Sequence, residues 1–485
     1  MLRRSAEAAF WASCAIWLLC LPWRASLWLD ELVSYWVIKD GLRETWARAV
    51  TFQGQSPLYY SILWVWTRLF GISELALRLP SVLCALGSGF LLYKIGRQFF
   101  DRSTALTAVV LFFSVNSLVI ASISARPYSL ALLFFLAATL VLLTGTGRSS
   151  AIAYGTLMLG SYYAHYLFIF GAGAQLLLII FCRPRQLANF MLALLLVAIF
   201  AIPGALQIMT LSTQAELSFA PYPSFGGFFT AAFPVATLVV WFAAIVAGYF
   251  FGSGRLSTER INPMLLLLFL LWCICGPLIF LAVSNLHHGS LFLERYFLWS
   301  AAGLALGLAA TVTIMAQERD RWIVLLICAV LAGYFASARH FIFEDWRSAA
   351  AVVRERLDSN SSSSVLISSG LIEARSAEFY TSSERQDYLR SPLSYYAAGA
   401  AGTALPPNLE EGKFSAYLQE HIAPMLGAQQ EFYVLAREPR ADGPSLEERY
   451  AQFFAQAGFE SQRLGDFGEV IALRFTRPGK AQEQN

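Results

Sequence analysis

The chain has 485 residues, 57% of them hydrophobic and 15% aromatic, with only 14% charged and a mean hydropathy of +0.54. That charge content lies well below the globular average of about 25%, which excludes an ordinary water-soluble domain and points to an integral membrane protein. The net charge is +3, so nothing in the balance suggests nucleic acid, and the information lies in where the basic residues fall. The seven cysteines, Cys14, Cys20, Cys84, Cys182, Cys273, Cys275 and Cys328, all lie within or beside apolar segments. None has metal-ligand spacing in a polar context, so they read as packing residues.

Windows of about 20 apolar residues predict about eleven spans, near 6–22, 79–96, 104–122, 127–145, 150–164, 166–182, 187–207, 230–251, 263–284, 297–316 and 322–340. The start of the chain, with Arg3 and Arg4 before an apolar run, has no convincing cleavage site and reads as a retained first span. With the N-terminus inside, the cytoplasmic connections carry Lys94, Arg97, Arg102, Arg148, Arg183, Arg185, Arg255, Arg260, Arg319 and Arg321. The opposite short loops carry little beyond Arg126 and Arg295. That asymmetry follows the positive-inside rule and places the acidic pair Asp30-Glu31, and everything after His340, on the outer face.

The first external loop, 23–78, reads as helical. From Asp30 onward, Leu32, Val33, Trp36 and Val37 share one arc, which predicts a helix lying in the membrane interface with its carboxylates turned from lipid. A second amphipathic stretch follows Pro57, a residue suited to a first helical position. Residues 341–478 read as a soluble α/β module. Phe343, Trp346, Ala350, Val353 and Leu357 recur at helical spacing, strands are predicted at 365–367, 432–436 and 470–475, and a helix near 445–458. The stretch 384–410 reads as loop, Asn360-Ser361-Ser362 is a sequon, and the tail 479–485 reads as disordered. The fold class predicted is thus mainly α: a polytopic membrane helix bundle, 1–340, with a C-terminal soluble α/β domain.

Few polar residues fall on the outer side. Asp30-Glu31, Tyr59, Arg126-Pro127-Tyr128, Tyr163, His165-Tyr166, His287, His288 and Glu294-Arg295-Tyr296 are the candidates. Ionisable groups at a bilayer cost several kcal/mol unless they face water, a partner or a substrate. Each also has a bland explanation: Asp30 and Glu31 suit the first turn of a helix, the arginines can snorkel, and His165 can be an interface histidine. Converging, they would suit a substrate half lipid and half phosphate, because guanidinium forks match phosphate geometry and a carboxylate can act as general base.

In this order the residues Trp28-Leu29-Asp30-Glu31, Ser56-Pro57-Leu58-Tyr59-Tyr60, Glu74 with Ala76-Leu77-Arg78-Leu79-Pro80-Ser81, Ala125-Arg126-Pro127-Tyr128, Tyr163 with His165-Tyr166, Glu294-Arg295-Tyr296 and Glu344-Asp345-Trp346-Arg347 carry a resemblance. The chain resembles the GT-C superfamily of polyprenyl-phosphate-sugar-dependent glycosyltransferases, on the bacterial family-39-like and ArnT-like branch related to protein O-mannosyltransferases. The resemblance implies Asp30 as the catalytic carboxylate with Glu31 as the second acid of the catalytic pair, Arg126 and Arg295 holding the lipid-linked phosphate, and Glu31, Tyr59, Tyr128, His165 and Tyr296 lining the site. It implies a polyprenyl-phosphate-sugar donor, a glycolipid, glycan or protein acceptor, membrane lipids as partners, and a bacterial inner (plasma) membrane. Relatives commonly have His-Pro-Pro where this chain has Gln55-Ser56-Pro57, and often an acid where it has Ser124. A divalent metal, the one cofactor considered, loses possible ligands there. The alternative function from another class is a lipid or glycolipid transporter, which predicts ionisable groups at mid-bilayer where this chain has almost none; a catalytically dead scaffold is a third.

Overall fold

The computed structural model describes every residue except 1, 183, 213–222, 258–260, 287–289, 339–343, 360–362, 397–401, 410–411, 439–444 and 479–485. His287, His288, Phe343, the sequon at 360–362 and the tail from 479 therefore lie outside the described residues. The chain is mainly helical with one five-stranded sheet. It divides into two compact units: Met1–Trp23 with Gly41–His340, and Arg24–Asp40 with Phe341–Asn485. The external loop is thus shared out, its first helix grouping with residues far along the chain.

The first unit is helical. Glu74–Gly96 and Pro263–Asn285 are long and apolar enough to cross a membrane, and up to five segments qualify if each of three bent pairs is one span. Two of the bends have a sequence cause. Pro203 lies at the 45° break between Leu187–Phe200 and Ile202–Met209, and Pro234 at the 50° break between Phe225–Ala232 and Val235–Phe251, where the missing N–H and the ring interrupt helical bonding. The third pair, Arg102–Ser114 and Asn116–Ser122, turns by 74° at Val115, which is extended. Shorter apolar helices are Tyr128–Thr144, Tyr166–Phe181, Trp299–Met315 and Arg321–Ser337.

Packing follows rules suited to lipid. Gly303 and Gly307, four apart on Trp299–Met315, let that helix close on Pro263–Ile274, and a Cβ added at Gly303 would lie 2.6 Å from Trp272 Cβ; small residues at this spacing favour close helix approach. The buried Arg321 is fully engaged. Its Nη1 pairs with Asp101 at 2.7 Å while Nε and Nη2 donate to the carbonyls of Ala316 and Thr313, joining helix ends that would otherwise leave acceptors unmet. Pro80, inside Glu74–Gly96, removes the donor that Ala76 O would receive. Trp66 Nε1 donates to that carbonyl at 2.9 Å instead.

The second unit is built on the strands β1 (Ser364–Ser368), β2 (Gly402–Ala404), β3 (Glu431–Arg437), β4 (Glu460–Phe467) and β5 (Val470–Thr476), in the order β2-β1-β3-β5-β4. β1 runs parallel to both β2 and β3, whereas β5 is antiparallel to β3 and to β4. The inner strands β1, β3 and β5 are apolar on both faces and buried, as sheets covered on both sides require, and these are the runs legible in sequence. The edge strand β4 is mostly exposed and polar, so periodicity misses it. The stretch 384–410 is not loop: helices Ser383–Leu389 and Ser391–Tyr396 and strand β2 occupy much of it.

A further correction concerns Leu29–Ile38. Leu32, Val33, Trp36 and Val37 are all at most 2% exposed, and Trp36 stacks edge-on with Tyr388 at 5.2 Å. Protein, not lipid, covers this apolar arc. Periodicity measures how wide an apolar face is and is silent on what covers it.

Replacing Trp66 with Phe is expected to cost about 1 kcal/mol through the lost hydrogen bond, and less in a Pro80→Ala background, where Ala76 O regains a helical donor. A double-mutant cycle of thermal unfolding in detergent checks this; equal costs in both backgrounds would remove the indole as that carbonyl's partner.

Candidate functional site

In the first unit, three separate turns deliver the polar residues. Arg126 lies in the tight turn before the helix Tyr128–Thr144, with its N–H on Ser124 O and its own carbonyl receiving Ser81 Oγ. His165 terminates Gly147–Ala164 in an extended conformation, and Arg295 and Tyr296 lie in the 3-10 turn Glu294–Phe297 that leads into Trp299–Met315. A turn frees side chains from helical periodicity, so residues remote in sequence can point at one spot.

The structure brings these residues together. The Tyr128 ring is the hub: the Arg126 guanidinium lies 5.9 Å and the Arg295 guanidinium 5.8 Å from its centroid, and Arg295 is also 5.7 Å from the Tyr296 ring. His165 packs between, 5.1 Å from Tyr128 and 5.2 Å from Tyr296. Cations over aromatic faces gain from the ring quadrupole, most where water is excluded. His165 is only 3% exposed, and among the described residues its Nδ1 has no hydrogen-bond partner. Burial first, and then the charges of Arg126 and Arg295, push its imidazole down to about 3, so it is neutral at physiological pH. Glu294, next in sequence to Arg295, is raised by burial, partly offset by a hydrogen bond with Ser117.

Tyr59 joins the cluster through its neighbour. Tyr60 packs edge-on against it at 5.5 Å, and Arg126 Nη1 donates to Gln53 Oε1 at 2.9 Å and to Tyr60 Oη at 3.4 Å. Gln53 and Tyr60 thus orient Arg126, a role that sequence reading missed for Gln53; an uncharged amide in a polar loop gives no periodic or motif signal. The local start of this segment is as its sequence dictates: Ser56 Oγ accepts from Leu58 N–H, and Pro57 takes the first helical position.

Asp30 and Glu31 belong to the other unit. Both lie in the first turn of Leu29–Ile38, where the helix dipole favours negative charge. Glu31 is fully buried, and its carboxylate accepts from Trp28 N–H at 3.2 Å, the reciprocal half of a capping box. Asp30 is partly exposed. Among the described residues no group of three or more His, Cys, Asp or Glu side chains is placed to hold a metal ion.

With the imidazole held neutral, the ¹⁵N resonances of selectively labelled His165 are expected to keep neutral-imidazole shifts from about pH 8 down to about pH 5, where an ordinary histidine would titrate. An imidazolium spectrum at pH 6 would refute the burial and the two neighbouring charges as its environment.

No curated protein matches the chain. Two solved structures of ArnT from Cupriavidus metallidurans, one bound to undecaprenyl phosphate and one in the apo state, align over 96% of this chain and 97% of theirs, at 11% and 12% identity and a TM-score of 0.43 in each case. Residues 54–209, the stretch holding Tyr59, Arg126, Tyr128 and His165, match the family described as dolichyl-phosphate-mannose-protein mannosyltransferase.

Proposed function

We propose that this chain is a membrane glycosyltransferase that moves a sugar from a polyprenyl-phosphate carrier to an acceptor on the outer face of the membrane, with inversion. The observation that carries the reading is the pair of guanidinium groups gathered on Tyr128 beside a neutral His165, within a segment matching a lipid-phosphate-sugar-dependent family. Two fixed cations are what a departing lipid phosphate requires, since they stabilise charge where it develops, and arginine stays charged when partly buried. A neutral imidazole adds polarity without adding a third positive charge.

In the proposed step the acceptor hydroxyl or amine attacks the anomeric carbon as its proton passes to Asp30. The bond from that carbon to the phosphate oxygen breaks, and the electron pair leaves with the polyprenyl phosphate, balanced by Arg126 and Arg295. One displacement inverts the anomeric centre. Glu31, already engaged in the helix cap, holds the turn on which Asp30 sits, while Tyr59, Tyr128 and Tyr296 line the donor site. No step is routed through a metal. The outward orientation is read from the Lys and Arg distribution, with the N-terminus in the cytoplasm and the distal unit outside; the apolar windows suggest about eleven spans, and the resemblance implies a bacterial inner membrane.

Asp30→Asn is expected to lower transfer by about 10²-fold or more, the usual worth of a general base, while binding of undecaprenyl phosphate is kept. Full transfer by an Asp30→Asn protein that inserts normally would overturn the assignment. Arg126→Ala should instead weaken undecaprenyl phosphate binding by about tenfold or more, as loss of a charge-assisted bond implies; unchanged affinity would remove that role.

A further inference from the structure

The motif Glu344-Asp345-Trp346-Arg347 is left without a part in the reaction, yet its Glu344 is a buried carboxylate with three partners in the second unit. Glu344 is 4% exposed. Its Oε2 accepts from Leu29 N–H at 2.8 Å and from Trp346 Nε1 at 2.7 Å, and its Oε1 lies 2.7 Å from Arg437 Nε. Arg437 Nη2 continues to Glu469 at 3.0 Å. Leu29 N–H is one of the donors that open the helix Leu29–Ile38, so a buried anion caps the turn that carries Asp30.

The neighbouring residues of the motif reinforce this. Asp345 Oδ1 accepts from Ser348 N–H at the start of Trp346–Ser359, Arg347 Nη2 donates to Arg24 O, and Arg347 N–H donates to Ser26 Oγ. Tyr396 Oη accepts from Leu27 N–H at 2.6 Å, and Asp387 receives both Trp36 Nε1 and Lys39 Nζ at the other end of the helix. The sheet supplies the counter-charge from a telling place. Arg437 ends β3, beside the end of β1 with which β3 runs parallel, and in open α/β sheets the carboxyl ends of parallel strands are where ligands are usually held. Gly370, just past β1, has φ +76°, and a Cβ there would lie 3.0 Å from Arg437 Cβ and Cδ, so the turn is shaped around the arginine side chain.

We propose that Glu344 and Arg437 are positioning residues for Asp30: the strand-end edge that elsewhere grips a ligand here grips the N-terminus of Leu29–Ile38 and sets the direction of its carboxylate. The proposal rests on the reading of Asp30 as the general base. The charged groups around Glu344 are Arg437 from β3, Glu469 from the turn before β5, Asp345 on its own segment and Asp30 on the helix. Burial, and to a smaller degree the charge of Asp30, raise the Glu344 carboxyl, opposed by Arg437, Trp346 and Leu29. Glu344 is thus coupled to Asp30 by charge as well as by the helix between them.

Two measurements on the full-length protein in detergent test this. Amide hydrogen exchange of a peptide spanning 24–40 is expected to rise about tenfold in Glu344→Gln and in Arg437→Gln, the scale of one charge-assisted bond, while a peptide covering β3 keeps its protection. Release of undecaprenyl phosphate from a panel of undecaprenyl-phosphate-linked sugars should show kcat lowered about tenfold in Glu344→Gln with the donor KM unchanged, and no further loss when Glu344→Gln is added to Asp30→Asn. Unchanged exchange at 24–40, a shift confined to KM, or an additive loss in the double variant would each overturn the positioning role. Failure of the base assignment looks different: Asp30→Asn would transfer at full rate while the exchange result still held.

Discussion

One buried carboxylate ties together residues separated by 315 positions: Glu344 accepts Leu29 N–H at the start of a helix where Glu31 already accepts Trp28 N–H. A carboxylate with so little exposure is stable only if its charge and lone pairs are met: here an amide and an indole donate to it, and the Arg437 guanidinium forms an ion pair with it. The same bonds anchor the start of Leu29–Ile38 within the compact unit that Arg24–Asp40 forms with the distal residues. Removing any one partner would strand the others in low dielectric, which makes the arrangement all-or-none.

The opposite electrostatic problem is solved in the first unit. Two arginines have to be held near one another, and aromatic faces do the holding. Tyr128 receives both guanidinium groups and Tyr296 one of them, while Gln53 and Tyr60 fix Arg126 through neutral oxygens. Neutral oxygens orient a cation without adding negative charge, and both guanidinium groups contribute positive potential at His165. His165 shows that this potential is felt, since the neighbouring arginines add to burial in driving its proton off.

Much of the fold was legible in the residues because its causes are local. Apolar runs that bury both faces mark β1, β3 and β5, and Pro57 opens a helix from its first position. What escaped notice has non-local causes. β4 is polar because it lies at an edge, β2 is three residues long, and Gln53 matters only because Arg126 comes to it from 73 positions away. The apolar arc of Leu29–Ile38 was assigned to lipid because an amphipathic helix looks the same whichever apolar phase covers it.

By itself the sequence determined the membrane character of the chain, the polar residues that are candidates for its chemistry, and the ordered motifs that resemble lipid-phosphate-dependent glycosyltransferases, because hydropathy, charge distribution and motif order are properties of the chain alone. Only tertiary structure decided which turns share a ring at Tyr128, that His165 is neutral, and that Glu344 and Arg437 hold the helix bearing Asp30. Those outcomes depend on distances between residues tens to hundreds of positions apart, and on the dielectric that packing creates around them, neither of which any local pattern of side chains encodes.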